Sequence, residues 1–352
     1  MSRIGSGLRR MAGAALGAAF ALGIAGAVSA QEELNIYNWG DYISPEVLKA
    51  FEEQTGIKIN LAVYSSNEEM LAKIQTGATG YDIVFPSVHM QDIMTKLDLL
   101  EQTNINEYEG FKNIDPAFLR AKTDPEGKYC LPYAWGSVGI MYNRKVLGKD
   151  ITGWHDLMDT VKEKGLKISL LDDMREVIGV GLILNGHSVN STDPAEIEQA
   201  ADTIIAMKPW IAAFSYSNRP MAVSGDVAAA HHYIGTMADV FAHPEDMGYV
   251  IPEEGATMYQ EDICVLKSAP HKENAIRFLE FYTQPEMPAL NMAQQTNGTA
   301  NMKARALTPE NIKNSEEINP PPEVIAKLQI FEDLGDAIRL YDRQWTRIKT
   351  AE

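Results

Sequence analysis

Rings and carboxylates recur in this chain wherever a short apolar run gives out. Residues 37 to 42 read Tyr-Asn-Trp-Gly-Asp-Tyr and place Trp39, Asp41 and Tyr42 just past an apolar run. The run ending at Phe85 is followed by Ser87 and His89, and the run Leu166 to Leu171 by Asp173 and Glu176. Later apolar segments deliver Tyr233, then Tyr259 and Glu261. An ammonium group leaving water needs both the negative face of a ring and a formal negative charge, and this set supplies both. Each member also has a plainer role. Asp173 can simply cap the helix that follows it, with Glu176 at the third helical position sharing in that cap. Trp39, Tyr233 and Tyr259 can be core rings. It is the repetition that favours a site for an organic cation.

Other chemistries fit less well. His231 and His232 are adjacent, so in a strand they point to opposite faces and do not readily share one ion, and the other His are scattered without H-E-x-x-H spacing. No metal site and no cofactor is expected. Neither G-x-S-x-G nor S-x-x-K occurs, and there is no phosphate loop of the Walker or dinucleotide type. Asp173 and Glu176 stand one helical turn apart, which suits a shared grip better than two carboxyls on opposite sides of a glycosidic bond. A carboxylate-based hydrolase remains the alternative from another class; non-enzymatic binding is the main reading.

The elements that must carry these residues alternate between strand and helix. A strand Leu34 to Tyr37 precedes a helix opened by Ser44 with Pro45 at its first position and stopped at Gly56. Strand Ile57 to Tyr64 follows, then a capping box of Ser66 and Glu69, a helix ending at Gly77, and strand Tyr81 to Phe85. The pattern restarts with strands Tyr129 to Tyr133 and Val138 to Tyr142 and a helix near Trp154. Strand Leu166 to Leu171 and helices Met174 to Leu184 and Pro194 to Lys208 complete this second unit. Strand Asp262 to Leu266, helix Lys272 to Tyr282 and one long helix near 322 to 349 close it. Such alternation predicts α/β units with mainly parallel sheets, and ligands then sit beyond the carboxyl ends of the strands.

Arg3, Arg9 and Arg10, an uncharged Ala/Gly/Leu stretch and Val28-Ser29-Ala30 have the form of an export signal at 1–30, with a mature chain from about Gln31. No Cys follows that stretch, so no lipid anchor is expected, and no later run approaches the ~20 apolar residues of a membrane span. Without those three Arg, the balance of 31 basic and 48 acidic residues becomes a formal charge near −20. Nucleic acid and anionic lipid are poor partners for such a surface, which also keeps an exported protein dispersed. About 320 residues exceed one core, so two lobes are expected. Cys130 and Cys264, the two Cys of the chain, either form one bridge or stay as buried thiols.

The segments Tyr37 to Tyr42, Glu53 to Lys58, Tyr81 to Ser87, Leu131 to Gly136 and Arg175-Glu176-Val177 together resemble the spermidine/putrescine-binding proteins of bacterial ABC transporters. The likeness spans essentially the whole mature chain. It implies a two-lobed periplasmic binding protein fold (type II), each lobe a mainly parallel sheet flanked by helices, joined by crossover hinge segments. The lobes would comprise 31–135 plus 260–306 and 136–259 plus 307–352. The chain would cross between them near Tyr133 to Gly136, Met258 to Glu261 and Arg305 to Thr308. It further implies a monomeric receptor in the periplasm that closes on a di- or polyamine and presents it to an inner-membrane permease. Trp39 and Tyr42 would line the methylene chain, Asp41 and Ser87 hold a terminal amine, and Asp173 and Glu176 hold ammonium groups from the second lobe. Tyr233 and Tyr259 replace Trp, Glu261 replaces Asp, and His89 and Thr299 replace Tyr of the family, so the preferred amine need not be that of relatives. A zwitterionic amino-acid derivative is the alternative cargo, because Arg175, His89 and Glu261 suit mixed charge.

Overall fold

The computed structural model describes residues 32–77 and 80–351; the expected export signal lies outside them. Strands β1 (Glu33–Trp39), β2 (Lys58–Tyr64) and β3 (Ile83–Val84) form one parallel arm in the order β2-β1-β3. Then come β4 (Cys130–Asn143), β5 (Ile168–Leu170), β6 (Ile211–Phe214) and β7 (Ala229–Tyr233). After them run β8 (Met247–Val250), β9 (Thr257–Val265) and β10 (Gln329–Ile330). A second parallel arm runs β7-β5-β6, and β4 and β9, antiparallel to each other, connect the arms in the order β3-β9-β4-β7.

Local signals act as their chemistry directs. Helix Pro45–Thr55 is capped by Ser44, whose side chain accepts from the Glu46 N–H, and ends at Gly56 with a positive φ of 76°. Helix Asn67–Gln75 is capped by Ser66, but Glu69 reaches Ser65 rather than closing a reciprocal box with Ser66. Helices Met174–Leu184 and Lys272–Tyr282 lie where the pattern places them.

Two expectations are corrected. Cys130–Asn143 is one strand, β4, buried at all 14 positions, where two strands, Tyr129 to Tyr133 and Val138 to Tyr142, are expected. Pro132 stands at a register shift, so its missing N–H costs no regular ladder bond. Gly136 is opposite Tyr259, and a Cβ there would come within 2.7 Å of the Tyr259 hydroxyl, so the close packing demands glycine. The tail is not one long helix. Gln329 and Ile330 pair with Thr257 and Met258 on β9, and Gly335 turns at φ 52° before helix Ile338–Thr350 begins.

The cores follow the arms. One cluster gathers Leu34, Ile36, Phe51, Ile83, Leu131, Ile263 and Phe278. Another gathers Ile140, Leu157, Leu170, Ile178, Ile204 and Tyr341, and a smaller one lies around Met141 and Tyr249. β4 contributes its first half to one cluster and its second half to the others. Cys130 and Cys264 face each other across the β4–β9 ladder and are joined in a disulfide inside the first cluster. No helix among the described residues is long and apolar enough to cross a membrane.

Candidate ligand-binding site

The carboxyl ends of the parallel strands converge on a cavity of about 560 Å³, within the ~300–1,000 Å³ range of small-molecule sites. All ten residues singled out from the sequence line it: Trp39, Asp41, Tyr42, Ser87, His89, Asp173, Glu176, Tyr233, Tyr259 and Glu261.

Glu261 is the hub on one side. Tyr259 and Glu261 are two apart on β9 and therefore share a face, while Gln260 and Asp262 turn to the other. Tyr42 Oη donates to Glu261 Oε2 at 2.6 Å, and Ser87 Oγ donates to Oε1 at 3.3 Å. Asn67 holds Ser87 in turn, its Nδ2 donating to Ser87 Oγ at 3.0 Å and its Oδ1 accepting from the Ser87 N–H at 3.2 Å. Even with these donors, burial pushes the Glu261 carboxyl up to about 8.

On the facing arm, Asp173 does cap helix Met174–Leu184, Oδ1 accepting from the Arg175 and Glu176 N–H groups at 2.9 and 3.0 Å. Its second oxygen accepts from Tyr216 Oη at 2.8 Å, so the cap and the cavity use different atoms of one carboxylate. Glu176 is 4 % exposed and accepts from Thr257 Oγ1 at 2.5 Å. Burial first, then the nearby Asp173 charge, raises its carboxyl to about 8. Neither Glu176 nor Glu261 meets a basic group in an ion pair among the described residues.

Rings complete the walls. Trp39 is fixed by its Nε1–H donating to Phe85 O at 2.8 Å and leans on Tyr64, with centroids 4.8 Å apart. Tyr233 and Tyr259 meet edge to face at 5.4 Å. Asp41 sits exposed at φ 52°, and its carboxylate has no partner among the described residues. Burial and the Arg175 guanidinium bring His89 down to about 4, so it is neutral at physiological pH.

The adjacent histidines separate as strand geometry requires. His231 is buried edge-on to Trp154, whereas His232 lines the cavity. His232 Nδ1 accepts from the Tyr233 N–H at 2.9 Å, which leaves Nε2 as the donor to Tyr216 O at 3.2 Å. No group of acidic, His or Cys residues suited to a metal occurs among the described residues. Thr299 is buried and does not line the cavity; its Oγ1 accepts from the Asn301 N–H at 3.1 Å.

The strand-end rule also reaches residues not singled out beforehand. Tyr216 follows β6, whose run Ile-Ala-Ala-Phe was not read as a strand. Phe331 follows β10, in a tail read as helix. Arg175 Nη2 is spent on Asn190 Oδ1 and Val189 O, and the guanidinium stacks 4.4 Å from the Phe331 centroid and 5.1 Å from that of Tyr341.

Residues 46–320 match the family of bacterial extracellular solute-binding proteins. The chain belongs to that family. It is 32% identical to the spermidine/putrescine-binding periplasmic protein of Salmonella typhimurium, over 94% of this chain and 96% of the relative. It is 31% identical to a putrescine/cadaverine-binding protein of Pseudomonas aeruginosa, over 91% and 94%. Among solved structures, a spermidine/putrescine ABC transporter substrate-binding protein of Streptococcus pneumoniae superposes with a TM-score of 0.82 at 32% identity, covering 91% of this chain and 99% of that one. A periplasmic binding protein architecture of two lobes is therefore the fold of this solute-binding protein, and the disulfide is at home in an oxidising compartment.

Proposed function

We propose that this solute-binding protein captures a diamine or polyamine in the periplasm and delivers it to the inner-membrane permease of an ABC transporter, without turning it over. One observation carries the reading. Two buried carboxyls, Glu261 and Glu176, line a single ring-walled cavity, each pushed up by burial to about 8 and neither in an ion pair among the described residues. A dication relieves both at once, ionising them and taking the place of the missing counter-charge. Its methylene chain lies against Trp39, Tyr233 and Tyr259. The relatives named for spermidine, putrescine and cadaverine support the same class of ligand.

The energies suffice. A desolvated cation–ring contact contributes about 2 kcal/mol and a charge-assisted hydrogen bond about 1.5–3 kcal/mol. Three or four such contacts support a Kd of ~1 μM, or about −8 kcal/mol, after ordering costs. They reach that strength only when water is removed, so the ligand favours a closed arrangement of the lobes. The lobes, 31–135 plus 260–306 and 136–259 plus 307–352, bend about β4 and β9, with a third crossing near Arg305 to Thr308.

The test is a melting-temperature panel of putrescine, cadaverine, spermidine, spermine and agmatine. At least one raises the midpoint; silence across all five defeats the reading. A second cargo, a zwitterionic amino-acid derivative, draws support from Arg175, which lines the cavity with a buried Nε–H that has no acceptor. A carboxylate-bearing amine that outcompetes every simple amine would favour it.

A further inference from the structure

Trp135 and Gln260 are register partners on β4 and β9, so their side chains share the face opposite Tyr259 and Glu261. Behind the strands, on that face, lies a second cavity of about 520 Å³. Its walls are the rings of Phe118 and Trp135 and the apolar tail residues Ile325 and Leu328, and its charged groups are Arg120, Arg305 and Asp115.

The donors there are not matched by acceptors. Arg305 is occupied: Nε donates to Thr299 O at 3.2 Å, and the guanidinium pairs with Asp115 at 3.5 Å. Arg120 lies 5.8 Å from the Phe118 centroid and has no hydrogen bond or ion pair among the described residues, its Nε buried and unpaired. The indole Nε1–H of Trp135, a residue 2 % exposed, likewise has no acceptor. A buried donor left unpaired is costly, and a guanidinium stays charged in any surroundings a protein offers. Two guanidiniums against one carboxylate leave a single positive charge uncompensated, in a chain of formal charge −17.

We propose that this rear cavity binds a small monoanion with an apolar body, an aromatic or branched aliphatic carboxylate. The carboxylate accepts from Arg120, whose planar fork matches two oxygens, while the body lies against Phe118, Trp135 and the tail. Inorganic phosphate, more highly charged and without an apolar part, is a poor match for one spare positive charge among rings and aliphatic side chains.

Calorimetry of the full chain with benzoate, isovalerate and inorganic phosphate tests this. Benzoate or isovalerate binds saturably with one site, and phosphate binds more weakly than either. Arg120→Gln weakens the carboxylate at least tenfold, and Arg120→Lys recovers part of the loss. Ala326→Trp, which fills the cavity without touching its charges, abolishes binding, and Glu261→Gln on the opposite face leaves it unchanged. No saturable binding of either carboxylate overturns the proposal. So does binding indifferent to Arg120→Gln and Ala326→Trp, or phosphate binding more tightly than benzoate.

Discussion

Tyr42 Oη and Glu261 Oε2 are 2.6 Å apart across 219 residues of chain. This contact ties the loop after β1 to the middle of β9 and aims a buried carboxyl into the cavity. Ser87 makes the second such contact, so the loops after β1 and β3 both serve one acid.

That acid and its counterpart Glu176 set a pH dependence. Both carboxyls sit near 8 without ligand, and a cation binds the ionised form, so binding below 8 must expel protons. Affinity for a diamine therefore rises from pH 6 to 8 and levels off above. Calorimetry in buffers of different ionisation heat should register proton release at pH 7. Stability of the unliganded protein runs the other way. Between about 6.5 and 8 Glu176 and Glu261 hold protons in the folded state that the unfolded state has lost, so stability falls as pH rises through that window. Below about 6.5 the trend is offset, because His89 and His232, held near 4, and His231, held near 3, stay neutral in the folded state while their unfolded counterparts take up protons.

Replacing the acids separates binding from folding. Glu176→Gln and Glu261→Gln should each weaken diamine binding by at least ~1.5 kcal/mol, the loss of a charge-assisted contact. The unliganded melting temperature above pH 8 should hold or rise, because a buried charge is gone. Trp39→Ala should weaken binding by about 1–2 kcal/mol with the far-UV spectrum unchanged. Wild-type affinity in any of the three would remove that residue from the site.

Asp173 has two roles that one pair of variants can divide. Asp173→Asn keeps an oxygen for the Arg175 and Glu176 N–H groups and so keeps the cap, but gives up the charge; urea stability should change little while affinity falls. Asp173→Ala should lose both, with about 1 kcal/mol of stability from the cap. Equal affinities for wild type and Asp173→Asn would leave Asp173 a cap alone.

The disulfide closes a separation of 134 residues yet lies within one core cluster. Cys130→Ser with Cys264→Ser should lower unfolding free energy by roughly 2–5 kcal/mol in urea. Diamine affinity should stay within about twofold, because neither Cys lines the cavity. A large loss of affinity at intact structure would mean that the bridge also governs the cleft.

Much of the fold is legible in the order of residues. Caps announce themselves: Ser44-Pro45, Asp173 and Asp193-Pro194 all open helices, because an N-cap needs only its own side chain and the next few N–H groups. The ten cavity residues were findable for a related reason, since strand ends are local and α/β topology sends them to one place. Tyr216 escaped because the short, mostly small residues of β6 give a weak strand signal, and Phe331 because β10 is only two residues long.

Residue order alone thus determined the α/β class, the helix starts and a set of rings and acids poised after strands, since these follow from neighbours a few positions apart. Tertiary structure alone decided that Tyr42 and Ser87 serve Glu261, that Glu176 answers to Thr257, and that Cys130 meets Cys264. It also decided that β4 runs unbroken through Pro132 and Gly136. Those outcomes depend on which strands lie side by side and how deeply a group is buried, and partners dozens to hundreds of residues away fix both.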